Sequence, residues 1–177
     1  MLEIIEQIIK HYLQYKTTPT VNDLKIEDIT LMEDKQSLFV TLYKNGEIRG
    51  SSGNINGNKR PLITELIENT IHALSKDTRF DPVELKEVEY IKVRLDIITS
   101  RDVLWDKKLK DIDPSKSGIL TIKKDYENIA LILPNMHPIL LTWSDFIDVL
   151  KSKLSVSEFK EEEYLLFEIK TETHRNF

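Results

Sequence analysis

The chain has 177 residues, enough for one domain with a sizeable core, and 30 acidic against 25 basic residues give it a formal net charge of −5. This acidic balance disfavours nucleic acid as a partner. The absence of cysteine excludes disulfides, thiolate nucleophiles and sulfur-ligated zinc. Glu3 and Glu6 stand where a signal peptide needs positive charge, and no apolar run is long enough to span a membrane. We therefore expect a cytoplasmic protein without a membrane partner.

Hydrophobic periodicity predicts the elements in chain order. Apolar residues at helical spacing predict a helix over 2–15, and strand-like runs at 37–44 and 47–52 flank Asn45-Gly46, a pair typical of two-residue hairpins. Pro61 begins a second helix that ends near residue 76. The later predicted elements are a strand at 88–98, a hairpin of strands 118–124 and 129–133, a helix capped by Thr142 and a strand at 164–171. Hairpins with helices between them indicate an α+β fold with an antiparallel sheet.

The two-residue loop also predicts the register of the first hairpin. The predicted pairs are Lys44–Glu47, Tyr43–Ile48, Leu42–Arg49, Thr41–Gly50 and Val40–Ser51. Arg49 then lies beside apolar neighbours, where a guanidinium must either be paired or face a cleft. Candidate partners are the carboxylates of Asp77, Asp81 and Glu84. We expect a ligand contact instead, with Arg49→Ala folding at nearly normal stability.

Four of the five glycines lie between Asn45 and Pro61. Glycine within a strand marks a bulge or the close approach of another backbone or a ligand. The stretch leads through Lys59 and Arg60 to a helix start, where free N–H groups and nearby cations favour a phosphate or a carboxylate. The stretch is therefore a candidate site for an anionic small molecule. The alternative is a glycine-rich connection with solvated Lys59 and Arg60, since no known phosphate-binding motif is present.

Other polar residues give weaker signals. The four histidines show no ligand spacing, so neither a metal site nor a cofactor is expected. Acidic residues gather near Arg79, which suggests an acid–base group or, in a structural interpretation, an arginine that ties the helix exit to the sheet.

The segment "FVTLYKNGEIRGSSGNI" resembles the signature of the AMMECR-type domain family, named for a chromosomal region linked to Alport syndrome, midface hypoplasia and elliptocytosis. The family motif L-R-G-C-I-G falls on Ile48 to Gly53. The resemblance continues through "RPLITELIENTIHALSKDTRFDPV", which is similar to the family's helix and its D-x-R-F-x-P exit, and later through "DPSKSGI", "LILP", "WSDFIDVLKSKL" and "YLLFEIKT". It covers residues 37–171.

The resemblance implies one α+β domain over 1–177 with two lobes. The larger lobe would hold 1–50 and 88–177, the smaller 51–87, with a cleft near the Arg-Gly motif. It also implies association with Memo-like and radical S-adenosylmethionine proteins in microbes. The family brings no assigned reaction.

Two departures from the family motif matter: the family cysteine is Ser51 here, and the next isoleucine is Ser52. A serine needs an activating base to act as a nucleophile. Ser52 implies that its site is either more exposed or packed differently. The candidate ligand-binding residues are Arg49, Gly50, Ser51, Ser52, Gly53, Lys59, Arg60 and Arg79.

Two functional interpretations remain for these residues. The first is a ligand- or protein-binding module that acts with partner enzymes through the cleft. The second is a small enzyme acting there on a phosphate- or carboxylate-bearing substrate. The missing cysteine favours binding, whereas a base within hydrogen-bond reach of Ser51 would favour the enzyme.

Overall fold

The computed structural model describes residues 1–56, 60–105, 108–125, 128–136 and 142–177. Within these ranges the chain forms three α-helices and six strands. In chain order they are α1 (Leu2–Tyr15), β1 (Leu38–Lys44), β2 (Glu47–Gly53), α2 (Leu62–Ser75), β3 (Lys92–Val103), β4 (Gly118–Lys123), β5 (Ile129–Ile132), α3 (Trp143–Leu154) and β6 (Tyr164–Arg175). No helix in the described ranges is long and apolar enough to cross a membrane.

The six strands form one antiparallel sheet in the order β2-β1-β3-β6-β4-β5. The predicted α+β class, antiparallel sheet and helices are confirmed. Two of the predicted strands have different bounds in the structure. The strand predicted at 88–98 is β3 at Lys92–Val103, because residues 85–90 form a 3₁₀ helix and the strand continues past residue 98. β6 continues to Arg175 instead of ending at 171.

The first hairpin closes at Asn45-Gly46, as predicted. Asn45 has φ 55° and Gly46 has φ 83°, the positive values that this turn requires. The predicted register is wrong beyond Ile48, because β2 contains a β-bulge at Arg49. Ile48 pairs with Tyr43, but Gly50 pairs with Leu42, so Arg49 is the extra residue. Thr41 then faces Ser51 and Val40 faces Ser52.

The contacts divide the chain into two compact units, residues 1–97 with 173–177 and residues 98–172. The C-terminal residues belong to the first unit through side-chain bonds. Thr173 Oγ1 donates to the Asp96 carboxylate at 2.6 Å, and the Asn176 amide bonds Glu6 and the Val93 N–H. The lobe boundaries and the cleft that the family resemblance implies remain predictions.

In the first unit, α2 packs against α1 and against β1 and β2. It is therefore buried on more than one face, and even Glu65, Asn69 and Thr70 are at most 5 % exposed. The second unit has its own apolar core, in which Phe146 and Leu150 of α3 are fully buried. The burial of α2 matters for the site, because it brings helix backbone and polar side chains against β2.

Candidate functional site

Packing explains two of the glycines that are described in the stretch, and turn geometry explains the third. A Cβ on Gly50 would overlap the carbonyl oxygen of Ala73 in α2, and a Cβ on Gly53 would overlap the Phe39 ring. Gly46 serves the turn, with nothing within 4 Å of an added Cβ. Gly57 lies outside the described residues. The groups that approach the glycines closely are thus α2 and the Phe39 ring of this protein, not a ligand.

Arg49 is held by several acceptors. Its Nε and Nη2 donate to the two carboxylate oxygens of Glu87, each at 3.0 Å, and Nη1 donates to the Asp81 carbonyl at 2.8 Å. A longer bond of 3.4 Å joins Nη2 to the Pro82 carbonyl. Only 18 % of the Arg49 side chain is exposed. The carboxylate partner is therefore Glu87, not Asp77, Asp81 or Glu84, and the guanidinium has little capacity left for a ligand.

Glu87 joins the hairpin to the 3₁₀ helix Leu85–Tyr90. Its carboxylate also accepts from Lys44 Nζ at 2.9 Å and from the Glu84 N–H at 2.9 Å. The hydrogen bonds from Arg49, aided by those from Glu84 and Lys44, outweigh burial and lower the pKa of Glu87 to about 2. Two cations on one carboxylate keep it charged across the physiological range.

A second cluster lies at the free edge of β2, the outermost strand of the sheet. The Ser51 N–H donates to the Asp77 carboxylate at 2.8 Å. Arg79 donates to the same carboxylate through Nε at 2.9 Å and Nη2 at 2.6 Å, and Nη2 also donates to Ser51 Oγ at 2.6 Å. The hydrogen bonds from Arg79 are the main reason that the pKa of Asp77 falls to about 2. This is the tie between helix exit and sheet that the structural interpretation of Arg79 predicted.

Arg79 differs from Arg49 in its exposure, since 54 % of its side chain is accessible. Asp77 fixes one side of the guanidinium, and the Phe80 ring lies 5.3 Å from its central carbon. Among the described residues, nothing bonds Nη1. Arg79 is therefore a fixed, solvent-facing guanidinium with an open donor edge.

A third cluster connects β2 to α2. Ser52 Oγ donates to Asn69 Oδ1 at 2.9 Å, and Asn69 Nδ2 donates to the Glu65 carboxylate at 3.2 Å. Arg60 Nε donates to Glu65 at 2.9 Å. Ser52 is half-buried, so its hydroxyl is accommodated by polar packing.

Sequence reasoning missed Glu65 and Asn69. Both lie on one helical row between the apolar residues Leu62 and Ala73, and all four are buried. Two polar residues at i, i+4 within an apolar row are a signal that could have identified them.

The helix start is less suited to an anion than the sequence suggests. The Leu62 N–H donates to the Asp34 carbonyl at 2.7 Å, and the Thr64 N–H donates to the Pro61 carbonyl at 3.0 Å. Arg60 is engaged by carboxylates, and Lys59 lies outside the described residues. Of the candidate residues, the structure thus brings together Ser51 with Arg79, and Ser52 with Arg60 through α2. Arg49 belongs to the separate Glu87 cluster.

Comparison with known proteins places this fold in a family. The AMMECR1 family model matches residues 2–173. A Thermotoga maritima protein is 27 % identical over 155 residues, covering 87 % of this chain and 81 % of that protein. A Methanocaldococcus jannaschii protein is 38 % identical over 119 residues, covering 64 % of this chain and 57 % of that protein. A Clostridium acetobutylicum protein is 29 % identical over 58 % of this chain but only 21 % of its own length.

A solved structure has the same fold. The crystal structure of an uncharacterised protein from Pyrococcus horikoshii superposes with a TM-score of 0.80 at 20 % identity, covering 98 % of this chain and 88 % of that one.

Proposed function

This chain belongs to the AMMECR1 family, and from the geometry of its first unit we propose that it is a binding module. It recognises a carboxylate or phosphate group, carried by a partner protein or a small molecule, through Arg79 at the free edge of β2. The observation that carries this proposal is the fixed, half-exposed guanidinium with an open Nη1 edge. An arginine held on one side keeps its planar guanidinium oriented for a second oxyanion, so its side chain loses little conformational entropy on binding.

The proposed partners are the Memo-like and radical S-adenosylmethionine proteins that the family resemblance implies. The matched part of the Clostridium acetobutylicum relative is 21 % of that protein. A region like this chain therefore occurs within a longer polypeptide, which fits a module that works beside other domains. We further propose that the partner approaches along the cleft that the resemblance places beside the Arg-Gly-Ser-Ser-Gly segment.

The contacts of Ser51 favour binding over the enzyme alternative. A nucleophilic serine needs a base that takes its proton. In the described part of the chain, the bond assigned to Ser51 Oγ comes from Arg79, which is a donor. The nearby Asp77 carboxylate has a pKa of about 2 and is therefore a weak base at neutral pH.

The proposal is tested by titrating the ¹⁵N-labelled protein with inorganic phosphate and following amide shifts. We expect selective shifts of the amides of Ser51 and residues 77–80, and their loss in Arg79→Gln. Arg79→Lys should retain only part of the effect, because an ammonium keeps the charge but not the fork. The matched control is Arg175→Gln, which removes another exposed arginine and should leave the shifts unchanged.

Two outcomes would overturn the proposal. The first is an Arg79→Gln variant that folds and binds phosphate like the wild type. The second is a set of shifts confined to other lysines and arginines. Calorimetry with a purified Memo-like or radical S-adenosylmethionine protein then tests the partner, since Arg79→Gln should weaken that binding as well.

A further inference from the structure

A cavity lies within the first unit, and its lining does not include Ser51, Asp77 or Arg79. It is open, has a volume of about 500 Å³ and lies between residues 18–21 and one face of α2. Its volume falls in the range of small-molecule sites. The α2 wall repeats at three- and four-residue spacing, so a single face of this helix lines the cavity. The lining residues of this wall are Thr64, Ile67, Glu68, Ile71 and His72.

The floor of the cavity is apolar. Ile67 and Ile71 lie side by side on α2, each 8 % exposed, and Val21 faces them from the other wall with 36 % of its surface accessible. These side chains would bury the hydrocarbon part of a ligand, which is favourable because apolar surface is removed from water.

The charges at the cavity are unbalanced. Arg60 Nε and Nη2 both contact Glu65 Oε1, at 2.9 and 2.8 Å, and Nη2 also contacts the Glu68 carboxylate. Among the described residues, one guanidinium is thus shared by two carboxylates, which leaves one net negative charge on Arg60, Glu65 and Glu68. The Glu65 side chain is 1 % exposed, whereas the Glu68 side chain is 39 % exposed. Glu68 therefore presents the excess charge to the cavity.

We propose that this cavity binds a small amphipathic amine, whose ammonium group pairs with Glu68 and whose apolar body covers Ile67 and Ile71. An anionic ligand would meet an arginine already neutralised by two carboxylates, and a neutral one would leave the Glu68 charge unused. The chemical class follows from this complementarity of charge beside an apolar floor. The inference is independent of the role of Arg79.

Three probes that differ in their polar group test the inference: 2-phenylethylamine, 2-phenylethanol and 3-phenylpropionate. Each is titrated into the ¹⁵N-labelled protein at pH 8, above the range in which an imidazole ordinarily titrates. We expect the amine to bind most tightly and to shift amides of residues 18–21 and 64–72. Glu68→Gln should weaken amine binding about tenfold or more, as expected for a lost charged hydrogen bond, and should leave the alcohol unchanged.

The control variant is Glu3→Gln, which removes an exposed carboxylate of α1 and should not change the affinity for the amine. The charge assignment is overturned if the alcohol binds as tightly as the amine, or if Glu68→Gln, folded by its amide spectrum, binds the amine normally. Preferential binding of phenylpropionate would show that Arg60 recognises the ligand. Absence of binding by all three probes at millimolar concentration would rule out this ligand class.

Discussion

Arg49 and Arg79 were both candidate ligand contacts, and their surroundings assign them different tasks. Arg49 bonds a buried carboxylate with two nitrogens and a carbonyl with the third. Arg79 bonds Asp77 and Ser51 but keeps its Nη1 edge open to solvent. The difference lies in exposure and in the bonded nitrogens. The Arg49 side chain is 18 % exposed and each of its nitrogens is bonded, whereas the Arg79 side chain is 54 % exposed and its Nη1 is not bonded within the described residues. We therefore expect Arg49 to hold the fold and Arg79 to be able to bind as well.

We predict that Arg49→Ala destabilises the first unit, contrary to the sequence-based expectation of nearly normal stability. Removing one partner of a buried ion pair costs about 3–5 kcal/mol. Because 18 % of the Arg49 side chain is exposed, we expect the lower end, about 3 kcal/mol. Urea denaturation measures this change.

The matched control is Arg175→Ala, at an exposed arginine of the same unit, for which we expect a change within about 0.5 kcal/mol. If Arg49→Ala unfolds at the wild-type urea concentration, the Arg49–Glu87 pair does not stabilise the first unit. The ligand role of Arg49 would then regain support.

At the scale of elements, the sequence predicts what depends on local pattern. The helix at 2–15 follows from apolar spacing, and the turn at Asn45-Gly46 follows from the residues that tolerate positive φ. The bulge at Arg49 could not be predicted in this way. It is supported by bonds to Asp81 and Glu87, which lie 32 and 38 residues further along the chain. Such long-range contacts leave no periodic signal in the hairpin itself.

The polar clusters around β2 were only partly predictable from the sequence. The Arg-Gly-Ser-Ser-Gly segment drew attention to β2. The spacing of Glu65 and Asn69 marks them as unusual within α2, but only the packing of α2 against β2 shows that Asn69 reaches Ser52. In the same way, only the packing of the 3₁₀ helix shows that Glu87 reaches Arg49. The glycines pointed to a close approach without showing what approaches. At Gly50 it is the Ala73 carbonyl of α2.

Two glycine variants separate turn geometry from helix packing. Gly46→Ala adds a methyl group in open space but keeps φ at 83°, so we expect a loss of about 1–2 kcal/mol from the left-handed backbone. Gly50→Ala drives a methyl group into the Ala73 carbonyl, so we expect the larger loss, about 3 kcal/mol, as in overpacked cores. Urea denaturation compares the two. Equal losses, or a milder effect at Gly50, would mean that α2 can move away from β2 at little cost.

At the scale of the whole molecule, the groups with the clearest electrostatic roles lie in the first unit. Glu87, Asp77 and the carboxylates around Arg60 all belong to residues 1–97. The exposed Asp113 of the second unit also has its pKa lowered to about 2, mainly by the Ser115 hydroxyl. Low pH is therefore a probe that acts mostly on the first unit, since Glu87 and Asp77 are buried there whereas Asp113 is exposed.

We predict that the free energy of unfolding falls as the pH drops from about 4.5 to about 2. The pKa values of Glu87 and Asp77 are lowered to about 2 in the folded protein, from ordinary values of 4.5 and 3.8. The unfolded chain therefore binds these protons first, so the stabilisation is complete above the ordinary pKa values and disappears as the pH falls through the folded ones. Urea denaturation at successive pH values measures the slope.

A comparison with Glu87→Gln separates the contribution of Glu87 from a second effect of low pH. That second effect is the repulsion among positive charges, which grows as all carboxylates become protonated. The variant lacks the charged partner of Arg49, so its free energy of unfolding should be lower at pH 7. It also has no charge to lose at position 87, so its stability should depend less on pH between 4.5 and 2. Asp113→Asn is the control, because an exposed carboxylate contributes little and its curve should run close to that of the wild type. If Glu87→Gln retains the full wild-type slope, the Arg49–Glu87 pair does not govern the acid stability of the protein.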